Sequence, residues 1–342
     1  MKLVALVVIA GCSAPATMSE LKVAEERADA GDVDGAVTAY HIAQKKCHDL
    51  KPARRAKAAC GEALLGEGEA LERGNRTDAA IETYLALPSR VTDDAITAST
   101  GVYRAGNLLM HAGKTVEAWT ALWRVVTEWP DEPIAADALR ALLTDGRRRD
   151  ARALAEQIAK LLTSLGDTEV GDNLVWSLAD LNEHELANPA AARALYDRIP
   201  IDYPNSGLRD DARWFGAKLS RQLGDPKGAA LRLRGLLATR EVAIGPGSYF
   251  SIWLDDGQLE LGKILRDDLG DLPGAAAAFR QLPKDYPASI LVDDSLYELE
   301  VTLAKMHDVK GTCEALARLV KDWRDSKYIA DAKKLGEETH CP

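Results

Sequence analysis

From Met18 to His340, apolar residues recur at intervals of three and four, as on one face of a helix. No stretch shows the sustained alternation of a half-buried strand. This pattern, rich in Ala, Leu, Arg and Glu, predicts an all-α chain. Its interruptions are regular too. A Gly followed five residues later by Ala occurs at Gly31 and Ala36, Gly74 and Ala79, Gly113 and Ala118, Gly146 and Ala151, Gly224 and Ala229, and Gly270 and Ala275. Looser copies stand at Ala187 with Ala192 and His307 with Thr312. Successive starts are 43, 39, 33, 41, 37, 46 and 37 residues apart, the period of two helices and two turns.

Other residues keep the same phase. Four positions after the small residue comes an aromatic at Tyr40, Tyr196 and Phe279. Twelve positions after it comes Pro130, Pro204 or Pro287, each preceded by an aromatic: Trp129, Tyr203 and Tyr286. Trp323 holds that aromatic phase in the last unit, with Arg324 in place of proline. Eight residues beyond each of these four aromatics stands Asp137, Asp211, Asp294 or Asp331. Each element has a mechanical reason. Glycine adopts the left-handed conformation that ends a first helix, and Asp32, Asp225, Asp271 and Asp308 beside it cap the next. The small residue lets two helices approach, the aromatic fills the space beside it, and proline ends the second helix.

The pattern resembles the tetratricopeptide repeat, whose second helix carries an alanine, an aromatic and a proline at the offsets of Ala192, Tyr196, Pro204 and Ala275, Phe279, Pro287. The first-helix signature survives only as fragments, Trp214-Phe215-Gly216 and Leu261-Gly262. The resemblance implies a superhelical solenoid of antiparallel helix pairs, about eight units, forming one repeat domain over residues 18–342. A concave face for protein or peptide partners is expected with it.

Ahead of the repeats, Met1-Lys2 and an apolar run to Ala10 read as an export signal, too short to span a bilayer. Ile9-Ala10-Gly11-Cys12 resembles the lipobox of bacterial lipoproteins. The resemblance implies a signal peptide at 1–11, acylation of Cys12 with palmitate-type chains, and a tether at 12–17. Ser13 after the cysteine implies sorting to the outer membrane, facing the periplasm. Thr17-x-x-Glu20 reads as a capping box opening the first helix, which leaves a tether shorter than ~20 Å. Lipobox and repeats together resemble the periplasmic repeat lipoproteins, among them the repeat lipoprotein of the β-barrel assembly machine and the cell-division coordinator. Gly311-Thr312-Cys313-Glu314-Ala315 through Trp323 and Ser326 is similar to the last repeat of the latter.

A formal net charge of -10, with both signs spread along the chain, argues against nucleic-acid binding. Four cysteines besides Cys12 fall into two pairs, and an exported chain points to disulfides Cys47–Cys60 and Cys313–Cys341. The second pair is symmetric about the turn Arg324-Asp325-Ser326-Lys327. Neither pair has zinc-site spacing.

Catalytic motifs fail on inspection. His184-Glu185-Leu186-Ala187-Asn188 begins like a zinc-protease helix but has asparagine where the second histidine belongs. Gly66-Glu67-Gly68 has Leu71 in place of a third glycine. Of the paired aspartates, Asp93-Asp94, Asp210-Asp211, Asp255-Asp256 and Asp293-Asp294 fall at first-helix starts, where capping and the helix dipole account for them. No cofactor, metal or catalytic residue is expected, and the chain reads as a non-enzyme. The 46-residue interval holds roughly nine residues more than its 37-residue neighbours, in a segment containing Gly245-Pro246-Gly247, Tyr249, Phe250 and Trp253. These aromatics either grip a partner or begin the next helix and pack inward. The expected role is a lipid-anchored scaffold for envelope proteins in outer-membrane assembly or envelope biogenesis. An accessory to peptidoglycan synthesis or cell division, and an enzyme with an unrecognised site, are the alternatives.

Overall fold

The computed structural model describes residues 18–48, 54–239 and 251–342. These are helical almost throughout and contain no strand. In order they form α1 (Met18–Asp29), α2 (Val33–His48), α3 (Arg54–Arg73), α4 (Thr77–Arg90), α5 (Ala95–His111), α6 (Thr115–Glu128), α7 (Ile134–Leu165) and α8 (Gly171–His184). There follow α9 (Pro189–Asp202), α10 (Arg209–Gln222), α11 (Pro226–Ala238), α12 (Leu254–Lys263), α13 (Leu272–Asp285), α14 (Val292–Lys305), α15 (Val309–Asp322) and α16 (Ile329–Glu338). A π turn over Ile264–Asp268 extends α12. Asp150, at φ -155° and ψ 89°, breaks α7 into two helices. The described residues thus contain eight helix pairs and a closing helix. The described residues divide into two compact units, one drawn from 18–149 with 163–171 and the other from 150–162 with 172–342.

Local chemistry sets the hairpin turns. Gly31, Gly113, Gly224 and Gly270 take φ of +78°, +73°, +76° and +67°, the left-handed conformation open to a residue without Cβ. The next residue then caps the second helix. Carboxylates of Asp32, Asp225, Asp271 and Asp308 accept the backbone N–H three residues on, at 2.9 to 3.0 Å. Ala187 and His307 hold the same left-handed position at φ +50° and +57°, so the two looser copies belong to the series.

Two units depart from the spacing read along the chain. In the second pair the left-handed residue is Asn75, at φ +55°, and the buried small residue is Ala80, so the true phase lies one position beyond Gly74 and Ala79. Gly146 lies within helix, and the break comes at Asp150, whose carboxylate caps Ala153 at 2.9 Å. Counting from that cap puts Leu154, buried, where other units have alanine. In the 46-residue interval, the π turn absorbs one of the additional residues: Asp271 N–H reaches back to the carbonyl of Leu265.

Side-chain size is matched between helices of a pair. A Cβ on Gly68 would strike the Tyr84 ring, one on Gly106 the Leu122 side chain, and one on Gly262 the Phe279 ring. Tyr84, Leu122 and Phe279 are wholly buried. The first and second members stand 16 residues apart in the first two cases and 17 across the π turn. In the first unit, Leu21, Ala24, Ala36, Tyr40, Ala43, Ala63 and Ala70 belong to one buried cluster. In the second, α9 and α10 close on Tyr196 and Ile199, and α11 to α15 share a larger core around Leu233, Ile264, Phe279 and Leu296.

Candidate functional site

In the second unit, polar groups that the repeat phase brings level join successive helix pairs. Ser289 Oγ donates to Asp255 Oδ2 at 2.6 Å and Ser326 Oγ to Asp293 Oδ2 at 2.7 Å, and Ser206 Oγ does the same to Asp172. Each serine also accepts a backbone N–H two residues on, so it ties the loop to the preceding first helix. The second aspartate of a pair takes an aromatic donor: Tyr328 OH gives its proton to Asp294 at 2.6 Å, and Trp253 Nε1 to Asp211. Burial pushes the Asp211 carboxyl above its ordinary range, against the hydrogen bond from Trp253. The paired aspartates therefore do more than favour a helix start, since they accept hydrogen bonds from residues one repeat away.

Guanidinium groups add a second layer. Arg266 donates to Asp267 and to Glu298, and its side chain is only 8% exposed. Burial alone would lower its pKa, but these two carboxylates hold it above the ordinary arginine value. Arg221 joins Glu260 to Asp268, and Arg104 joins Glu69 to Glu72. In the first unit Glu67 is buried, and it accepts from Gln44 Nε2 at 2.8 Å and pairs with His41 Nε2 at 3.0 Å and Arg90 at 3.4 Å. Burial works to raise its pKa, yet those partners hold it below the usual carboxylate range.

Among the residues expected to meet a partner, Trp253 caps α12 and lies flat on Trp214, with ring centroids 5.1 Å apart and an interplanar angle of 11°. Its edge meets Phe215 at 5.8 Å, and Phe215 continues to Trp176 and Tyr196. The indole, for which the sequence left partner contact and inward packing both open, joins an aromatic chain that packs consecutive repeats together. Tyr249, Phe250, the Gly245-Pro246-Gly247 run and Cys12 lie outside the described residues. The cysteines come together as two disulfides: Cys47–Cys60 joins α2 to α3 with Cα atoms 5.4 Å apart, and Cys313–Cys341 joins α15 to the residues after α16 at 5.3 Å. His184, from the incomplete zinc pattern, pairs instead with Asp180 at 3.3 Å. Among the described residues no group of three His, Cys, Asp or Glu side chains is placed to hold a metal ion, and no helix is long and apolar enough to cross a membrane.

A cleft absent from the sequence reading lies in the first unit. It encloses about 460 Å³ between the end of α4, the start of α5 and the end of α6. Pro88, Val91, Ala98 and Trp129 give it apolar walls, and Asp93 and Glu128 stand among its polar groups. The Arg124 guanidinium lies 5.4 Å from the Trp129 ring centroid and donates to Glu128 at 2.9 Å, which steadies one wall. No sequence signal pointed here, because the walls come from two stretches, 88–98 and 124–129, that only the packing of α4, α5 and α6 brings together.

Residues 256–289 match the family model of the tetratricopeptide repeat. They run from the first turn of α12 to Ser289, one full helix pair, and the first, sixth and eighth pairs share its left-handed turn and aspartate cap. No curated protein matches the chain. Among solved structures it is similar to a tetratricopeptide repeat protein from Parabacteroides merdae, at 14% identity over 84% of this chain and 98% of that one, with a TM-score of 0.34. The C-terminal part of a repeat-containing protein from Cytophaga hutchinsonii gives 14% identity, coverages of 81% and 99%, and a TM-score of 0.44. YrrB, a repeat protein with an unusual peptide-binding site, gives 14%, 74% and 99%, and 0.38.

Proposed function

We propose that the chain is a non-enzymatic scaffold, held by lipid at Cys12 on the periplasmic face of the outer membrane, that binds envelope proteins or peptides during outer-membrane assembly or envelope biogenesis. The observation that carries the binding role is the series of eight helix pairs among the described residues, seven of them joined through a left-handed residue, with a tetratricopeptide repeat matched in the seventh. Such arrays present extended surfaces to protein partners, and their polar ties between repeats keep that surface fixed before a partner arrives. The Ile9-Ala10-Gly11-Cys12 run supports the location.

The test is recovery of the native lipoprotein after cross-linking in cells, with identification of the attached proteins. Barrel-assembly or other envelope components should be recovered with the wild type. Cys12→Ser should move the chain to the soluble periplasmic fraction and stop acyl labelling. Membrane retention of that variant in high salt would refute the anchor, and recovery of cytoplasmic partners alone would refute the envelope role. The similarity of Gly311 through Ser326 to a division coordinator's last repeat favours a second reading, an accessory to peptidoglycan synthesis. Co-purifying glycan synthases would select it.

A further inference from the structure

Glu300 lies inside the last helix pair, wholly buried, and neither carboxyl oxygen has a hydrogen-bond partner. Its register explains how it came to be enclosed. Sixteen residues separate it from Leu316, as sixteen separate Gly68 from Tyr84 and Gly106 from Leu122. Glu300 therefore stands where other repeats have glycine or alanine facing a large residue of the second helix, and in this repeat Leu316 replaces the ring. The equivalent position of the fourth repeat holds Leu142, also buried, so the slot accepts a larger side chain. Here that side chain is an acid.

No charge on a neighbouring element compensates it. Arg280 and Lys284 of α13, Glu314 and Arg318 of α15, and Asp331 and Lys334 of α16 are exposed, and none acts on the Glu300 carboxyl. Arg266, on the extension of α12, is committed to Glu298 and Asp267. Burial alone pushes Glu300 up to about 8. Its charge is felt by Tyr297 on its own helix, a residue also influenced by Asp331 of α16. His307 and His340, at the two ends of the terminal hairpin, are exposed.

Beyond Glu300, the closing helix α16 buries little of itself. Only Ala332 and Gly336 of α16 are buried. That helix is held by the Tyr297–Tyr328 stack at 4.5 Å, by Tyr328 and Ser326 on Asp294 and Asp293, and by Gly336, which sits so close to Leu316 that a Cβ there would strike it. Leu316 thus connects the Glu300 slot to α16. The Cys313–Cys341 bond makes α15 and α16 move as one hairpin.

We propose that Glu300 is a proton-operated latch: its neutral form lets the α15–α16 hairpin close on α14, and loss of its proton releases that hairpin. In the open state the carboxyl meets water and titrates near the ordinary value for glutamate. The open form therefore binds fewer protons than the closed one between pH 4.5 and about 8. Across that window a rise in pH favours opening by about tenfold per unit, and above it the effect levels off.

Hydrogen exchange on the full chain tests this, with protection of α15 and α16 amides measured from pH 5 to 9 and corrected for intrinsic exchange. Wild-type protection should fall by up to about tenfold per unit, several hundredfold in all between pH 5 and 8, while α5 and α6 show no such slope. Glu300→Gln, close in shape and unable to titrate, should flatten the profile, as should Glu300→Leu, which copies the fourth repeat. A flat wild-type profile would overturn the latch. A slope that survives in Glu300→Gln would overturn it too. If Glu300→Leu fails to fold, the wild-type and glutamine profiles decide.

Discussion

Replacing Gly262 by alanine should destabilise the chain even though alanine is the better helix former. The glycine sits in α12 against α13, and an added Cβ would lie 2.7 Å from both Cδ1 and Cζ of Phe279 and closer still to Cε1. The ring has nowhere to go. Phe279 is fully buried, the Arg266 guanidinium lies 5.6 Å from its centroid, and its carbonyl accepts from Ser295 Oγ at 2.7 Å. Overpacking of this kind costs about 1 to 3 kcal/mol, against a propensity gain of about 1 kcal/mol for removing an interior glycine. Gly235→Ala isolates the gain, because its Cβ would meet Arg213 at an ordinary 3.6 Å. Urea unfolding followed by far-ultraviolet circular dichroism should therefore show Gly235→Ala stabilised by up to about 1 kcal/mol. Gly262→Ala should fall below it by about 1 to 3 kcal/mol. Adding Phe279→Leu to Gly262→Ala should recover part of the loss, since the sixth repeat uses Ala217 and Leu233 at the same register. Equal stability of the two glycine variants, or an additive double mutant, would refute the clash.

Two further outcomes follow from the polar ties. Ser289→Ala removes both the donor to Asp255 and the acceptor for Leu291 N–H; it should cost about 1 to 2 kcal/mol, and an Asp255→Ala, Ser289→Ala double mutant should lose less than the sum. Glu67→Gln should cost about 1 to 3 kcal/mol at pH 7. The folded-state pKa of Glu67 lies below its reference of 4.5, so its contribution is complete above that pH and is lost as pH falls through the folded value. Wild type and variant should therefore converge in acid, and a difference in stability unchanged at pH 3 would contradict the assignment.

What could be read along the chain was whatever depends on neighbours within about one helical turn. The amphipathic period, the left-handed glycines and the aspartate caps are short-range features, and Asp32, Asp225, Asp271 and Asp308 cap the helices that spacing assigned to them. The same locality explains the two slips in phase. Asn75 adopts the left-handed conformation that Gly74 could also have supplied, and Asp150 breaks α7 by its cap without any glycine. Contacts between repeats obey a different rule. Ser289 and Asp255 are 34 residues apart in the chain, and Trp253 and Asp211 are 42 apart. Whether such groups meet depends on how helix pairs stack. Only that stacking seated Trp253 on Trp214, gave the first-helix aspartates their donors, and enclosed Glu300 where a repeat of this kind ordinarily keeps a small residue. A glutamate on an amphipathic helix reads as solvated until the neighbouring helices show that no water reaches it.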